Sequence, residues 1–322
     1  MSTPRTTQAS ARPVPGAPAV AAGAGPAVTI RGLRKRYGDK QAVGGLDLEI
    51  ETGEVFALLG PNGAGKTTTV EILEGYRDRD DGEVGVLGTD PRHGDRHWRS
   101  RIGIVAQTSG DSPELSVEEM VRHFASYFPN PRNTDEVINA VGLDDKRSTR
   151  ARQLSGGQRR RLDVALGVIG NPELLFLDEP TTGFDPEARR QFWTLIEGLQ
   201  TGGTTILLTT HYLDEAEHLA DRVGVIADGR LIELGTPDTL GGRGARAARV
   251  RWLDADGTHE ERSDTPSAVV ARLLEQFQGE IPELEVRRPS LEDIYLDLIG
   301  QVGEGRPASV SATTDDPEKE LS

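Results

Sequence analysis

The sequence predicts an α/β protein: a core at about 27–240 built on a parallel sheet, then a small α+β appendage at about 250–300. Three observations carry this. LLFLDEP (174–180) and TILLTTH (205–211) are short, nearly continuous apolar runs, as expected of strands buried on both faces of a parallel sheet. Strand-like and helix-like segments alternate through the first 240 residues. The composition then shifts at GGRGARAAR (241–249), which reads as a linker.

In chain order, AVTIRGLRKRY (27–37), LDLEI (46–50) and EVFALLG (54–60) read as strands, and helices fill roughly 113–170. DRVGVIADGRLIELG (221–235) reads as two short strands around the turn Asp228-Gly229. In the appendage, VRWLDADGTHEER (250–262) resembles a hairpin, and SAVVARLLEQF and SLEDIYLDLI read as amphipathic helices. Residues 1–26 are rich in Pro, Ala, Gly, Ser and Thr, and residues 301–322 form an acidic polar stretch. Neither can repay the entropy of ordering, so a disordered leader and tail are expected. Arg5 and Arg12 precede an apolar stretch, but Pro13, Pro15, Pro18 and Pro26 interrupt it, so a signal peptide is not expected.

The chain has 322 residues, room for about two domains. With 37 Lys+Arg against 52 Asp+Glu the net charge is −15, which opposes a nucleic-acid partner and direct docking on an anionic membrane. There are no cysteines, so disulfides, thiolate metal sites and a cysteine nucleophile are excluded. No run of 18 apolar residues is present, so no spanning helix is expected.

Gly60-Pro61-Asn62-Gly63-Ala64-Gly65-Lys66-Thr67 matches G-x-x-x-x-G-K-[ST], between a strand-like run and the helix-like TTVEILEG that continues through Thr68. Glycines let such a loop turn its N–H groups inward around a phosphate, and the following helix start adds a favourable field. Lys66 is expected to reach the β/γ-phosphates and Thr67 to ligate Mg2+. Asp178 and Glu179 end the apolar run at 174–177. Asp178 stands where a Mg2+-side carboxylate is needed, and Glu179, pointing the other way in an extended chain, suits a general base for the attacking water.

Between these motifs lies Leu154-Ser155-Gly156-Gly157-Gln158. Alone it would be an ordinary helix cap. In this order and spacing the set resembles the signature of the ATP-binding-cassette family, over about 28–240. The resemblance implies a P-loop NTPase with a RecA-like core, a helical subdomain at about 108–165 and an antiparallel β subdomain. It implies ATP and Mg2+ as cofactors, with Ser155–Gln158 facing the γ-phosphate held by another subunit. Gln107 looks like the Q-loop glutamine that touches Mg2+ and relays nucleotide state, although Ala106 precedes it where a larger apolar residue is common. Asp185 looks like the D-loop carboxylate, His211 the switch histidine at the γ-phosphate, and Tyr37 the aromatic that stacks on adenine.

A signature that acts in trans implies a head-to-tail homodimer, with a separate polytopic membrane permease as partner, on the cytoplasmic face of the membrane. TTGFDP, HYLDEAEHLADRV and SLEDIYLDLIG look like the daunorubicin-resistance branch, which implies efflux of a drug, antibiotic or polyketide. Exporters of lipids, polysaccharides or nodulation factors share much of this pattern. A soluble, non-transport cassette ATPase is the remaining alternative.

Overall fold

The computed structural model describes residues 25–106, 114–242 and 247–303, with side chains described through Gly300. Gln107, nearly all of the expected leader and the tail beyond Gly303 lie outside the described residues. The chain divides into two compact units between Leu231 and Ile232. The first unit holds, in order, β1 (Val28–Tyr37), β2 (Lys40–Ile50), β3 (Val55–Leu59), α1 (Lys66–Leu73), β4 (Asp81–Val86), α2 (Arg96–Ser100), β5 (Ile102–Val105), α3 (Val117–Ala125) and α4 (Thr134–Ala140). It continues with α5 (Gly156–Val168), β6 (Leu174–Asp178), α6 (Pro186–Thr201), β7 (Thr205–Thr209), α7 (Leu213–Leu219), β8 (Arg222–Ala227) and the start of β9 (Arg230–Gly235).

The parallel sheet runs β5-β6-β7-β3-β8, with β9 after β8. Every residue of β3 and β7 is buried, as is the LLFL of β6, so these strands carry no polar alternation. β2, β1 and β4 form a separate antiparallel sheet in that order. One apolar core joins the layers: Ile30, Leu33 and Leu46 from the antiparallel sheet, Val70 and Leu73 from α1, and Phe56, Phe176 and Leu207 from the parallel sheet. α1 is thereby held between the two sheets, which fixes the loop that precedes it. Burying a side chain such as Phe or Leu stabilises by about 1.5–3 kcal/mol, so this shared core is what anchors the site.

Local signals set the boundaries. Ser116 and Glu119 form a reciprocal capping box at α3, and Ser155 and Gln158 do the same at α5. The β8–β9 turn places Asp228 and Gly229 both at positive φ, the conformation that suits a two-residue hairpin loop. β4, β5 and the first half of β2 were not read from the sequence. β4 carries glycine at Gly82 and Gly85, and β5 has four residues, too few to show a period.

The second unit contains β10 (Ala248–Asp254), β11 (Gly257–Ser263), α8 (Pro266–Phe277), β12 (Glu285–Arg287) and α9 (Leu291–Gly303). The expected hairpin is β10–β11, closing at Asp254 and Gly257, and β12 pairs with the other edge of β10. Val250, Val269, Leu273 and Ile281 form a core of their own. α9 buries Leu291 and Ile294 from its apolar stripe and runs into the first residues of the expected tail.

Candidate nucleotide site

The loop 60–65 connects buried β3 to α1. Gly63 and Gly65 take positive φ, 80° and 105°. A Cβ on Gly65 would collide with the Ala42 carbonyl oxygen of β2, and one on Gly60 with the Ile226 carbonyl oxygen of β8. The loop is therefore pressed between strands of both sheets, with no room for side chains at either glycine. No side chain caps α1 at its N-terminus, which leaves its first-turn amides available to an anion.

Lys66 is only 7% exposed, and its Nζ donates to the carbonyls of Gly60 (2.6 Å) and Pro61 (3.2 Å). Burial pushes its pKa down, and the charges of Glu179 and Asp178 oppose that shift. A desolvated ammonium facing two carboxylates is poised to exchange its backbone acceptors for phosphate oxygens.

The loop opens onto a cleft of about 310 Å3 lined by Tyr37, Lys40, Asn62, Gly63, Lys66, Thr67, Thr68 and Glu179 among others. Four parts found separately in the sequence thus meet: the aromatic, the phosphate loop, its lysine and the second acid. Tyr37 is 41% exposed at the cleft, and the Arg77 guanidinium and the Lys35 ammonium lie over its ring, 5.3 and 5.6 Å from the centroid.

The acids stand at the C-terminal end of β6, paired in parallel with β7 so that Asp178 lies opposite Thr209. Thr209 holds both. Its hydroxyl donates to the Asp178 carboxylate, and its carbonyl accepts the Glu179 N–H at 3.0 Å. Glu179 sits at φ +46°, unusual for a non-glycine residue. Its carboxylate lies 3.4 Å from Nδ1 of His211, two residues past the end of β7. The register therefore brings both acids and the histidine to one edge of the sheet.

Residues 43–182 match the family model described as ABC transporter. The chain is 39% identical over 307 residues to a daunorubicin resistance ATP-binding protein of Streptomyces coeruleorubidus, covering 85% of this chain and 96% of that one. This protein belongs to the ABC transporter family. It is also 43% identical to a Nod factor export ATP-binding protein of Ralstonia nicotianae, covering 87% of this chain and 95% of that one. In fold it is similar to a solved dimeric ATP-binding cassette in a post-hydrolysis state bound to ADP and Pi: TM-score 0.60, 24% identity, covering 65% of this chain and 98% of that one. As a member of this ATPase family the protein is an α/β P-loop NTPase that binds ATP.

Other expected site residues lie elsewhere. Ser155 opens α5 with its side chain occupied in the capping box, accepting from the Gln158 N–H at 3.3 Å, and both Ser155 and Gly156 are exposed. Asp185 caps α6, its carboxylate accepting from the amides of Glu187 (3.0 Å) and Ala188 (2.8 Å). Pro186 follows at the first helical position, where its missing N–H costs nothing. The sequence carries no local signal for three residues around the site: Lys40 in the cleft wall, Thr209 beneath the acids, and Arg160, which donates to the Asp178 carbonyl. Thr209 precedes the histidine by two residues, so its place was readable once β6 and β7 were paired.

Proposed function

We propose that this ABC protein is the ATP-hydrolysing subunit of an exporter. It works as a head-to-tail homodimer on the cytoplasmic face of the membrane and powers efflux of a drug, antibiotic or polyketide through a separate polytopic permease. The observation that carries the hydrolytic part is the Glu179 carboxylate, in the same cleft as the phosphate loop and 3.4 Å from His211. The likeness to a daunorubicin resistance protein supports the cargo class.

In this reading Tyr37 stacks on adenine, the main-chain N–H groups of residues 62–68 and the Lys66 ammonium bind the phosphates, and Glu179 takes the proton of the attacking water. His211 steadies the Glu179 carboxylate and reaches the γ-phosphate. The donor set fits Mg2+, a hard ion that takes one or two protein oxygens and completes its shell with phosphates and water. Thr67 lines the cleft, and the Asp178 carboxylate is oriented by the Thr209 hydroxyl. Gln107, from the family resemblance, would add a third oxygen. Bound there, the ion would neutralise charge on the β/γ-oxygens. Ser155–Gln158 would close on the partner's ATP, with Asp185 at the dimer seam. No helix among the described residues is long and apolar enough to cross a membrane, so the pathway itself is assigned to the permease.

The identity to a Nod factor export protein favours one second reading, a cargo of that kind carried by the same machinery. Transport of each cargo into inverted vesicles holding the chain and its permease separates the two. For the hydrolytic core, Glu179→Gln is expected to bind ATP, to hydrolyse it about 100-fold more slowly or worse, and to accumulate as an ATP-bound dimer. Near-normal turnover by the purified variant would overturn the assignment of Glu179 as base.

A further inference from the structure

The sequence has three consecutive arginines after the signature, Arg159, Arg160 and Arg161, and only Arg160 is buried, at 8% exposure. Its guanidinium is spent on main-chain carbonyls. Nε donates to Pro180 O at 3.0 Å, one terminal nitrogen to Asp178 O at 2.6 Å, and the other to Ala106 O. The first two acceptors flank Glu179, one on each side, and Glu179 is the residue held at positive φ. That conformation is costly for a residue with a Cβ and persists only where its surroundings impose it. The third acceptor belongs to the residue immediately before Gln107.

We propose that Arg160 is a positioning residue for hydrolysis, tying the helix behind the signature loop to the carbonyls of the two residues that flank Glu179 and to the chain just past the end of β5. It touches neither acid's carboxylate through these bonds; it acts by fixing where the main chain presents them. Because Arg160 lies five residues after Ser155 on α5, a movement of the signature helix is felt directly at the turn that carries the base. The planar fork matters: three carbonyls from two segments are reached at once by one rigid group, a task that the single ammonium of lysine does not reproduce. The inference rests on the reading of Glu179 as base.

The test uses the purified full-length chain with Arg160→Lys, which keeps the charge, and Arg160→Met, which leaves three carbonyls without their donor and is the variant more prone to misfold. Arg160→Lys is expected to retain ATP affinity within twofold, by titration with a fluorescent ATP analogue, while kcat falls about tenfold or more. In a Glu179→Gln background the same substitution is expected to cause no further slowing, because the step it serves is already lost. A kcat for Arg160→Lys within twofold of the parent would overturn the proposal. So would a tenfold slowing that persists undiminished in the Glu179→Gln background, or an equal loss of ATP affinity, both of which mark general structural damage. If Glu179→Gln alone turns over normally, the base reading falls, while the split between kcat and affinity in Arg160→Lys still reports on Arg160.

Discussion

The first unit contains two glycine-rich loops, each opening a helix, and they are built in opposite ways. The phosphate loop is enclosed by its own chain: Gly60 and Gly65 press against carbonyls of β8 and β2, Lys66 is buried, and α1 starts without a side-chain cap. The signature loop is open. A Cβ on Gly156 or Gly157 would meet nothing within 4 Å, Ser155 is exposed, and α5 starts with a side-chain cap, the reciprocal box between Ser155 and Gln158. Glycine in the first loop is demanded by packing within the chain. Glycine in the second is demanded by nothing described in this chain, and in the proposed dimer its reason is the nucleotide held by the partner.

The largest expected effect falls on the enclosed loop. Gly65→Ala sets a Cβ against the Ala42 carbonyl at φ 105°, where L-residues are strained, so ATP affinity is expected to fall about 100-fold or more. A titration showing unchanged affinity would erase the contrast. Ser155→Arg, in the open loop, is expected to leave the affinity of the dilute chain within twofold and to stop hydrolysis. Its loss of a cap lowers stability by about 1 kcal/mol. Full turnover by this variant would remove the case for a site completed in trans. A smaller comparison sets Gly156→Ala beside Gly65→Ala: stability is expected to change by less than about 0.5 kcal/mol, read by thermal unfolding.

A pH-dependent effect is expected at the far end of α1. Burial, then the charges of Asp178 and Glu71, push the Glu74 carboxyl up to about 8. Below the ordinary carboxylate pKa, both folded and unfolded chains hold the proton and nothing is lost. As pH rises toward 8 the unfolded chain releases its proton first, so stability drains away across that window and levels off above it. Glu74→Gln is expected to raise the melting temperature by a few degrees at pH 9 and not at pH 4. An equal change at both values would count against burial as the cause.

Much of the site was legible because its requirements are local. The phosphate loop needs backbone conformations that glycine supplies most readily, and Asp178 and Glu179 terminate a short, nearly continuous apolar run of the kind expected of a buried parallel strand. What was not legible depends on pairing between distant segments. Thr209 gains its role only from lying opposite Asp178, and Lys40 only from the hairpin that brings it to the cleft. Arg160 is one of three adjacent arginines, and choosing it requires the helix's rotation against the sheet. β12, three exposed residues long, carries no signal in its own composition.

The order of strands in the parallel sheet has a consequence for synthesis. β3 leads directly into the phosphate loop, yet its two neighbours are β7 and β8, so Val55 waits for Ile206, about 150 residues later, and Phe56 for Arg222. A chain still emerging from the ribosome thus holds a complete phosphate-loop sequence whose strand has neither flanking ladder. Asp178 and Glu179 likewise lack Thr209 until β7 is made. The β2 wall of the loop is made before it, but the β8 wall and the support beneath the acids arrive together, near the end of the first unit. Until then the apolar edges of β3 remain open to whatever else can pair with them.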